Sequence, residues 1–261
     1  MLDSQDSSKY MSLIGILRWA CELGRLDILS EVSSLSTHMC APREGHLDAI
    51  YQIFAYLKRH DRSTLVFDDA EIMIDEKLFT KVNWEDFYEE REEEIPPNMP
   101  KPRGKPVRML AFCDANHAGN VVTRRSQTGI LIYLNNAPIS WLSKKQNTVE
   151  ASSFGSEFNA LRVCVEMCKA LRYKLRMFGI PIEGASDILC DNNSVVKNSS
   201  LPQSVLQKKH HSITYHFVRE HAARGIIRVA KIDGTTNLAD LFTKTTIPTS
   251  KRRELVSQIL Y

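Results

Sequence analysis

The sequence predicts an α/β fold: a mixed five-stranded sheet flanked by helices, preceded by a small helical segment. Three observations predict it. Two short apolar runs, Met109-Leu-Ala-Phe-Cys-Asp114 and Ile188-Leu-Cys-Asp191, read as buried strands that each close on an aspartate and then on small or turn-forming residues. Between them lies a long amphipathic stretch in which Phe158, Leu161, Val165, Cys168, Leu171, Leu175 and Phe178 keep helical spacing. Three predicted strands follow one another before that helix, and two more are reached through helical stretches. This is the order of an antiparallel meander extended by parallel strands through crossovers.

The elements can be read in chain order. Residues 10–58 form helices in two pieces broken near Pro42, with apolar residues three and four apart in Tyr10–Trp19 and His46–Lys58 and a middle segment around Asp27–Ser36. The acidic run Glu85–Glu94 leads directly into the proline-rich Ile95–Gly104, which reads as a solvated linker. Strand 109–114 follows, then a loop carrying Thr123-Arg-Arg-Ser126, strand Gly129–Leu134, a hairpin turn at Asn135-Asn136 and a short strand Ile139–Leu142. The long helix is expected from about Val149 to Phe178, strand 187–191 next, and a short helix from about Ser194. A helix over Ser212–Ala223 ended by Gly225, a strand Ile226–Ile232 and a terminal helical region from about Asn237 complete the chain. These readings divide the chain into a helical unit (1–60), an acidic, Pro-rich linker (61–105) and a sheet-bearing domain (106–261).

Charge separates along the same line. The overall net charge is +3, but residues 1–104 hold 12 Lys+Arg against 20 Asp+Glu and residues 105–261 hold 22 against 11. A basic C-terminal domain suggests a polyanionic partner, with simple solubilisation as the alternative. The six cysteines show no CxxC pair and no framework spacing, so free thiols in a reducing compartment are expected. No Cys/His spacing suggests a zinc site. No signal peptide and no bilayer-spanning apolar stretch is found, so no membrane partner is expected and the chain reads as soluble and intracellular.

The chemistry is sought in the acids. If the two aspartate-ended strands run side by side and parallel, Asp114 and Asp191 come about 5 Å apart. Carboxylates that close repel each other unless a cation sits between them. Glu157 lies at the flank of the long helix's buried face, where a side chain can lean over a sheet edge; taken alone it reads as a solvated glutamate. Asp240, in Asn237-Leu-Ala-Asp240-Leu-Phe-Thr-Lys244, reads equally as helix-start chemistry. Together the four acids follow the order strand, helix, strand, helix start, each at an element edge that can share one rim.

Seven segments carry a family resemblance: Cys113-Asp-Ala-Asn116, Thr123-Arg-Arg-Ser-Gln-Thr-Gly129, Ile139-Ser-Trp-Leu-Ser-Lys-Lys-Gln146, Ser156-Glu-Phe-Asn-Ala-Leu161, Cys190-Asp-Asn-Asn-Ser194, Tyr215-His-Phe-Val-Arg-Glu220 and Asn237–Lys244. In this order they resemble the ribonuclease H domain of copia-type LTR retrotransposon Pol polyproteins. Residues 10–58 resemble the end of the reverse transcriptase that precedes that domain. One departure is Lys209-His-His-Ser212, where such sequences often have Lys-His-Ile-Asp.

The resemblance implies a ribonuclease H-like sheet and an enzyme that cleaves the RNA strand of RNA–DNA hybrids endonucleolytically, with two Mg²⁺ ions (Mn²⁺ as a substitute). The family's metal carboxylates match Asp114, Glu157, Asp191 and Asp240. Asp114, on the central strand, is expected to bridge both ions. Asp191 and Asp240 would each favour one ion, and Glu157 would orient water or the second ion. Asn116, Asn192 and Asn193 are candidates for 2′-hydroxyl or backbone contacts, and equally plain turn residues. Arg124, Arg125, Lys144 and Lys145 are candidate phosphate contacts, with a solvated loop as the alternative. The implied partners are RNA–DNA hybrid and the rest of the polyprotein. The implied location is cytoplasmic (in a virus-like particle if the element is active) or nuclear. No polymerase activity is expected, because the polymerase's Tyr-x-Asp-Asp turn is missing. That absence supports the alternative of a truncated or repurposed fragment that binds nucleic acid without cleaving it. The intact four acids argue against it.

Overall fold

The computed structural model describes residues 1–88, 92–207 and 209–261. Glu89, Glu90 and Arg91 of the acidic run, and Lys208, lie outside the described residues.

The sheet has five strands: β1 (Met109–Asn116), β2 (Gln127–Leu134), β3 (Ala137–Lys145), β4 (Ser186–Cys190) and β5 (Ile227–Lys231), in the spatial order β3-β2-β1-β4-β5. The first three form the expected antiparallel meander, while β4 runs parallel to β1 and β5 parallel to β4. The mixed five-stranded sheet with flanking helices is therefore present. Two strands are longer than expected. β1 continues past Asp114 because Asn116 still pairs with Gln127, and β3 extends to Lys145 because its polar end stays in register with β2.

Strand alternation sorts the core into two faces. Met109, Ala111 and Cys113 face a cluster with Ile130, Ile132, Ile188 and Val229, covered by α4 (Ser153–Met177) and α6 (Ser212–Ala223) through Phe158, Leu161, Cys164, Cys168 and Val218. Leu110 and Phe112 face the other cluster with Leu131, Tyr133 and Leu189, covered by Leu241 and Phe242 of α7 (Asp240–Thr243) and Leu255 of α8 (Thr249–Ser257). Burial on both faces explains why the central runs are apolar throughout rather than alternating. Local signals set the ends. Ser152 caps α4 by accepting from the Gly155 amide at 3.3 Å. Asn135 takes a left-handed φ of 52° in the β2–β3 turn, and Gly225, at φ 66°, follows α6. A short helix, α5 (Asn193–Ser200), follows β4.

The N-terminal helices α1 (Ser4–Glu22), α2 (Leu29–Ser36) and α3 (Glu44–Arg59) enclose their own core of Tyr10, Ile14, Leu17, Val32, Leu47, Ile50 and Ile53. They also dock on β3 and α8. Trp141 donates to the Cys21 carbonyl at 3.1 Å, Ser33 to the Ser143 carbonyl at 2.8 Å, and Arg252 to Glu31 at 2.6 Å. No helix among the described residues is long and apolar enough to cross a membrane.

The stretch from 61 to 105 has little regular structure, yet several of its residues are held against the sheet. Leu65 bridges Leu260, Phe79 is buried in the core cluster under α7 and α8 with Ile72 and Ile74 packed against the same cluster, and Glu76 pairs with Arg228 at 2.5 Å. Glu93 receives Arg172 at 2.7 Å and Arg176 at 2.5 Å. Burial alone would raise the Glu93 carboxyl; the hydrogen bonds from Arg176 and Arg172 outweigh it and hold the pKa at about 2. Part of the acidic run is thus a clasp on α4 and not a solvated tether. Charge pattern cannot show this, because the partner arginines lie far downstream.

Candidate metal centre

The β1–β4 register sets the site. Phe112 pairs with Leu189 in parallel, so continuing two residues along both strands brings Asp114 beside Asp191. Glu157, in the second turn of α4, reaches round the sheet end from the opposite face. One carboxylate oxygen from each of Asp114, Glu157 and Asp191 lies within 4.8 Å of the others. The residues that close these elements fix the acids in turn. Asn192 caps α5 by accepting from the Ser194 amide at 2.9 Å and donates its amide to Glu157 at 3.1 Å.

Crowding carboxylates in a poorly hydrated rim raises their pKa values. Burial pushes Asp114 up to about 6, with Asp240 and Asp191 adding to the rise and Lys244 opposing it. Burial likewise lifts Glu157 to about 7 against the Asn192 hydrogen bond, and raises Asp191.

Asp240 is fully buried at the start of α7 but is not grouped with the other three. Its carboxylate takes Lys244 Nζ at 2.5 Å on one oxygen and Lys251 Nζ at 2.5 Å on the other. Lys244 Nζ also lies 3.8 Å from Asp114 Oδ2, so this ammonium stands between the two acids. Thr243 donates its hydroxyl to Asp114 Oδ2. Thr243, Lys244 and Lys251 join the site beyond the four acids. Lys244 sits in the Asn237–Lys244 segment at the i+4 position from Asp240, a spacing at which opposite charges can meet. Lys251 belongs to another helix and carries no local signal.

Gly129 makes this packing possible. It pairs with Asp114 across β1–β2, and a β-carbon there would come within 2.6 Å of Thr243 Cγ2 and 2.7 Å of the Ala239 carbonyl. Gly129→Val is expected to force α7 off the sheet, costing on the order of 1–3 kcal/mol in chemical denaturation. A variant as stable as the parent would contradict the close contact.

The other candidates share this end of the sheet with differing freedom. Asn116 is engaged at both amide atoms, donating to the Thr243 carbonyl at 2.7 Å and accepting from the Gln127 amide at 2.7 Å, which ties β1 to α7. Asn193 is exposed at the start of α5. Arg124 is exposed at a left-handed φ of 54° in the β1–β2 loop, beside half-buried Arg125. Lys144 and Lys145 pair with Thr128 and Gln127 at the end of β3, the same end of the sheet as Asp114.

Oxygen-only donors under mutual repulsion fit a hard divalent ion such as magnesium or manganese. With Lys244 and Lys251 on Asp240, the four acids when fully ionised carry four negative charges against two positive ones. The surplus of two negative charges is what one divalent cation would balance.

No protein-family model matches the sequence. Curated relatives do. The chain is 28% identical over 239 residues to the retrovirus-related Pol polyprotein from transposon RE1 of Arabidopsis thaliana, covering 92% of this chain and 14% of that protein. It is 26% identical over the same length, with the same coverage, to that of transposon RE2, also from Arabidopsis thaliana. The polyprotein from transposon TNT 1-94 of Nicotiana tabacum is 25% identical, covering 93% of this chain and 15% of that protein. The chain thus spans about one seventh of the length of these relatives. Among solved structures, LC11-RNase H1 in complex with an RNA/DNA hybrid matches 52% of this chain and 94% of its own at 14% identity and a TM-score of 0.43. Ribonuclease H1 from Halobacterium salinarum matches 52% and 94% at 16% identity and a TM-score of 0.41. The chain is a homologue of the retrovirus-related Pol polyproteins of copia-type transposons.

Proposed function

We propose that the chain hydrolyses the RNA strand of RNA–DNA hybrids, as the ribonuclease H part of a retrotransposon reverse transcriptase, with divalent ions held by Asp114, Glu157, Asp191 and Asp240. The observation that carries this reading is the convergence of three carboxylates within 4.8 Å, two at the ends of adjacent parallel strands and one from the helix that covers one face of the sheet. Such a cluster is costly in a fold unless a cation joins it.

Divalent ions supply, when bound, an activated water and charge neutralisation at the scissile phosphate. The chain's own groups do the rest. Asp114 anchors the rim from the central strand, held by the Thr243 hydroxyl. Glu157 would hold an ion or orient the attacking water, a bound cation keeping its carboxylate ionised against the burial that raises its pKa to about 7 without metal. Water attacks phosphorus, the bond to the 3′ oxygen breaks, and the products carry a 5′ phosphate and a 3′ hydroxyl. Arg124, Arg125, Lys144 and Lys145 would hold phosphates along the same sheet end. Asn193 is the asparagine most free to meet a 2′-hydroxyl. Asn116 and Asn192 act instead by positioning the elements they tie.

A second reading, a fragment that binds nucleic acid without cleaving it, is favoured by the two lysines already satisfying Asp240. The test is incubation of the full chain with a labelled RNA–DNA hybrid, single-stranded RNA and duplex DNA in Mg²⁺, at low salt. Cleavage confined to the RNA of the hybrid and stopped by a chelator is expected. Hybrid binding without cleavage would support the second reading.

A further inference from the structure

We propose a second metal site, for zinc or another borderline divalent transition ion, formed by Glu150, His210 and His211. Each offers one ligand atom, and these atoms all lie within 4.8 Å of one another. They come from distant parts of the chain: Glu150 from the loop before α4, and the histidines from the 3-10 turn Lys209–His211 that leads into α6. No sequence spacing announces such a set.

The niche is built around these atoms. His211 Nε2 lies 3.3 Å from Glu150 Oε2, with side chains only 7% and 11% exposed. Thr148 donates its hydroxyl to the other oxygen, Glu150 Oε1, at 3.1 Å and so turns Oε2 toward the imidazole. Phe154 meets the His211 ring edge-on at 6.0 Å, and the His210 ring lies 4.1 Å from that of His211. The first turn of α4 is bare where the ligand atoms converge. A β-carbon at Gly155 would come within 2.7 Å of Glu150 Oε2 and 2.8 Å of His211 Nε2. Ligands oriented by a hydrogen bond on the far atom and by enclosing apolar groups are what a metal site needs.

The donor chemistry selects the ion. Two imidazoles and a carboxylate suit zinc, while magnesium and calcium favour oxygen throughout. His210 is exposed, which leaves one side open for a water as fourth ligand. Because the ligands join the entry of α4 to the entry of α6, a bound ion would clamp the two helices that cover one face of the sheet. This site shares no residue with the acidic rim, and its fate is independent of the hybrid-cleavage reading.

The test is a titration of the untagged full chain with zinc chloride against a chromophoric competitor, in excess Mg²⁺ at neutral pH. It is run in a Cys40→Ser background, because Cys40 is an exposed thiol. One zinc per chain is expected, with a raised melting temperature. His211→Phe keeps a ring against Phe154, and Glu150→Gln keeps the shape; each should abolish stoichiometric binding and the thermal shift. Thr148→Val removes only the supporting hydroxyl and should weaken binding about tenfold. Absence of zinc binding by the parent, or binding unchanged in His211→Phe and Glu150→Gln, would overturn the site and leave Glu150 and His211 as a simple ion pair. Should those two variants fail to fold by circular dichroism, Thr148→Val decides: unchanged affinity refutes the proposal.

Discussion

Asp114→Asn is expected to lose hybrid cleavage by about a thousand-fold or more, equivalent to about 4 kcal/mol of barrier, while folding at least as stably as the parent without divalent ions. The two halves of this result come from one cause. Asp114 is 4% exposed, and burial, helped by Asp240 and Asp191, pushes its pKa to about 6. Its charge is therefore a burden on the metal-free fold. Asparagine has the same shape, and its carbonyl can still accept the Thr243 hydroxyl. The charge that would hold a cation is gone, and so is part of the repulsion. A purely structural acid would behave in the opposite way, since its loss would destabilise the protein. Single-turnover cleavage and urea denaturation of the same preparation check both halves. Cleavage surviving the substitution would remove Asp114 from the centre.

The second large effect is an inverted pH dependence of stability. Asp114 and Glu157 have folded-state pKa values of about 6 and about 7, above their ordinary values of about 4. The folded protein therefore binds these protons more tightly than the unfolded chain. The stability they confer is fully present below about pH 4 and is lost as pH rises through 6 and 7. The loss is expected to be on the order of 3 kcal/mol without divalent ions, because Glu157 is partly solvated. Glu93 works in the other direction and in another window. Its depressed pKa of about 2 gives stability that is present above its ordinary value and lost as pH falls toward 2. The metal-free protein should thus be most stable near pH 4 to 5. Millimolar Mg²⁺ should restore stability above pH 7, and Asp114→Asn should flatten the upper limb. Denaturation midpoints across pH, with and without Mg²⁺, read this out. A flat profile above pH 5 without metal would count against a rim of unneutralised acids.

Much of the site was legible because its scaffold is local. A short apolar run that stops on an acid marks a buried strand end, and both runs form strands, although β1 continues two residues past Asp114 and β4 ends one residue before Asp191. Their adjacency needed one further assumption, a parallel crossover, which the meander-plus-helix order favoured. Helix ends were legible where a special backbone residue marked them, as at Gly225. What stayed hidden depends on distance. The lysines on Asp240 come from just past the end of α7 and from α8, and only the folded chain puts Lys251 beside it. Asn116 and Asn192 looked like free turn residues, but their amides are spent on Thr243, Gln127 and Glu157. The stretch between 61 and 105 reads as a linker because it is acidic and Pro-rich, and its apolar residues, Leu65, Ile72, Ile74 and Phe79, follow no period that would mark a buried face. They fill single gaps against the sheet and α8.

Lys244 links these observations. It neutralises the rim in part and approaches both Asp114 and Asp240. Any ion bound between those acids must share the space with this ammonium or displace it. On the proposed reading, the charge balance predicts one ion in the free protein and a second only when a substrate phosphate adds negative charge.

Manganese binding to the free chain tests the central claim most directly, because it needs neither substrate nor turnover. Electron paramagnetic resonance of Mn²⁺ titrated into the protein at pH 8 should show one tightly held ion per chain, absent in Asp114→Asn and retained in His211→Phe. No bound ion in the parent, or an ion that survives Asp114→Asn, would mean that the three carboxylates were not assembled for a metal.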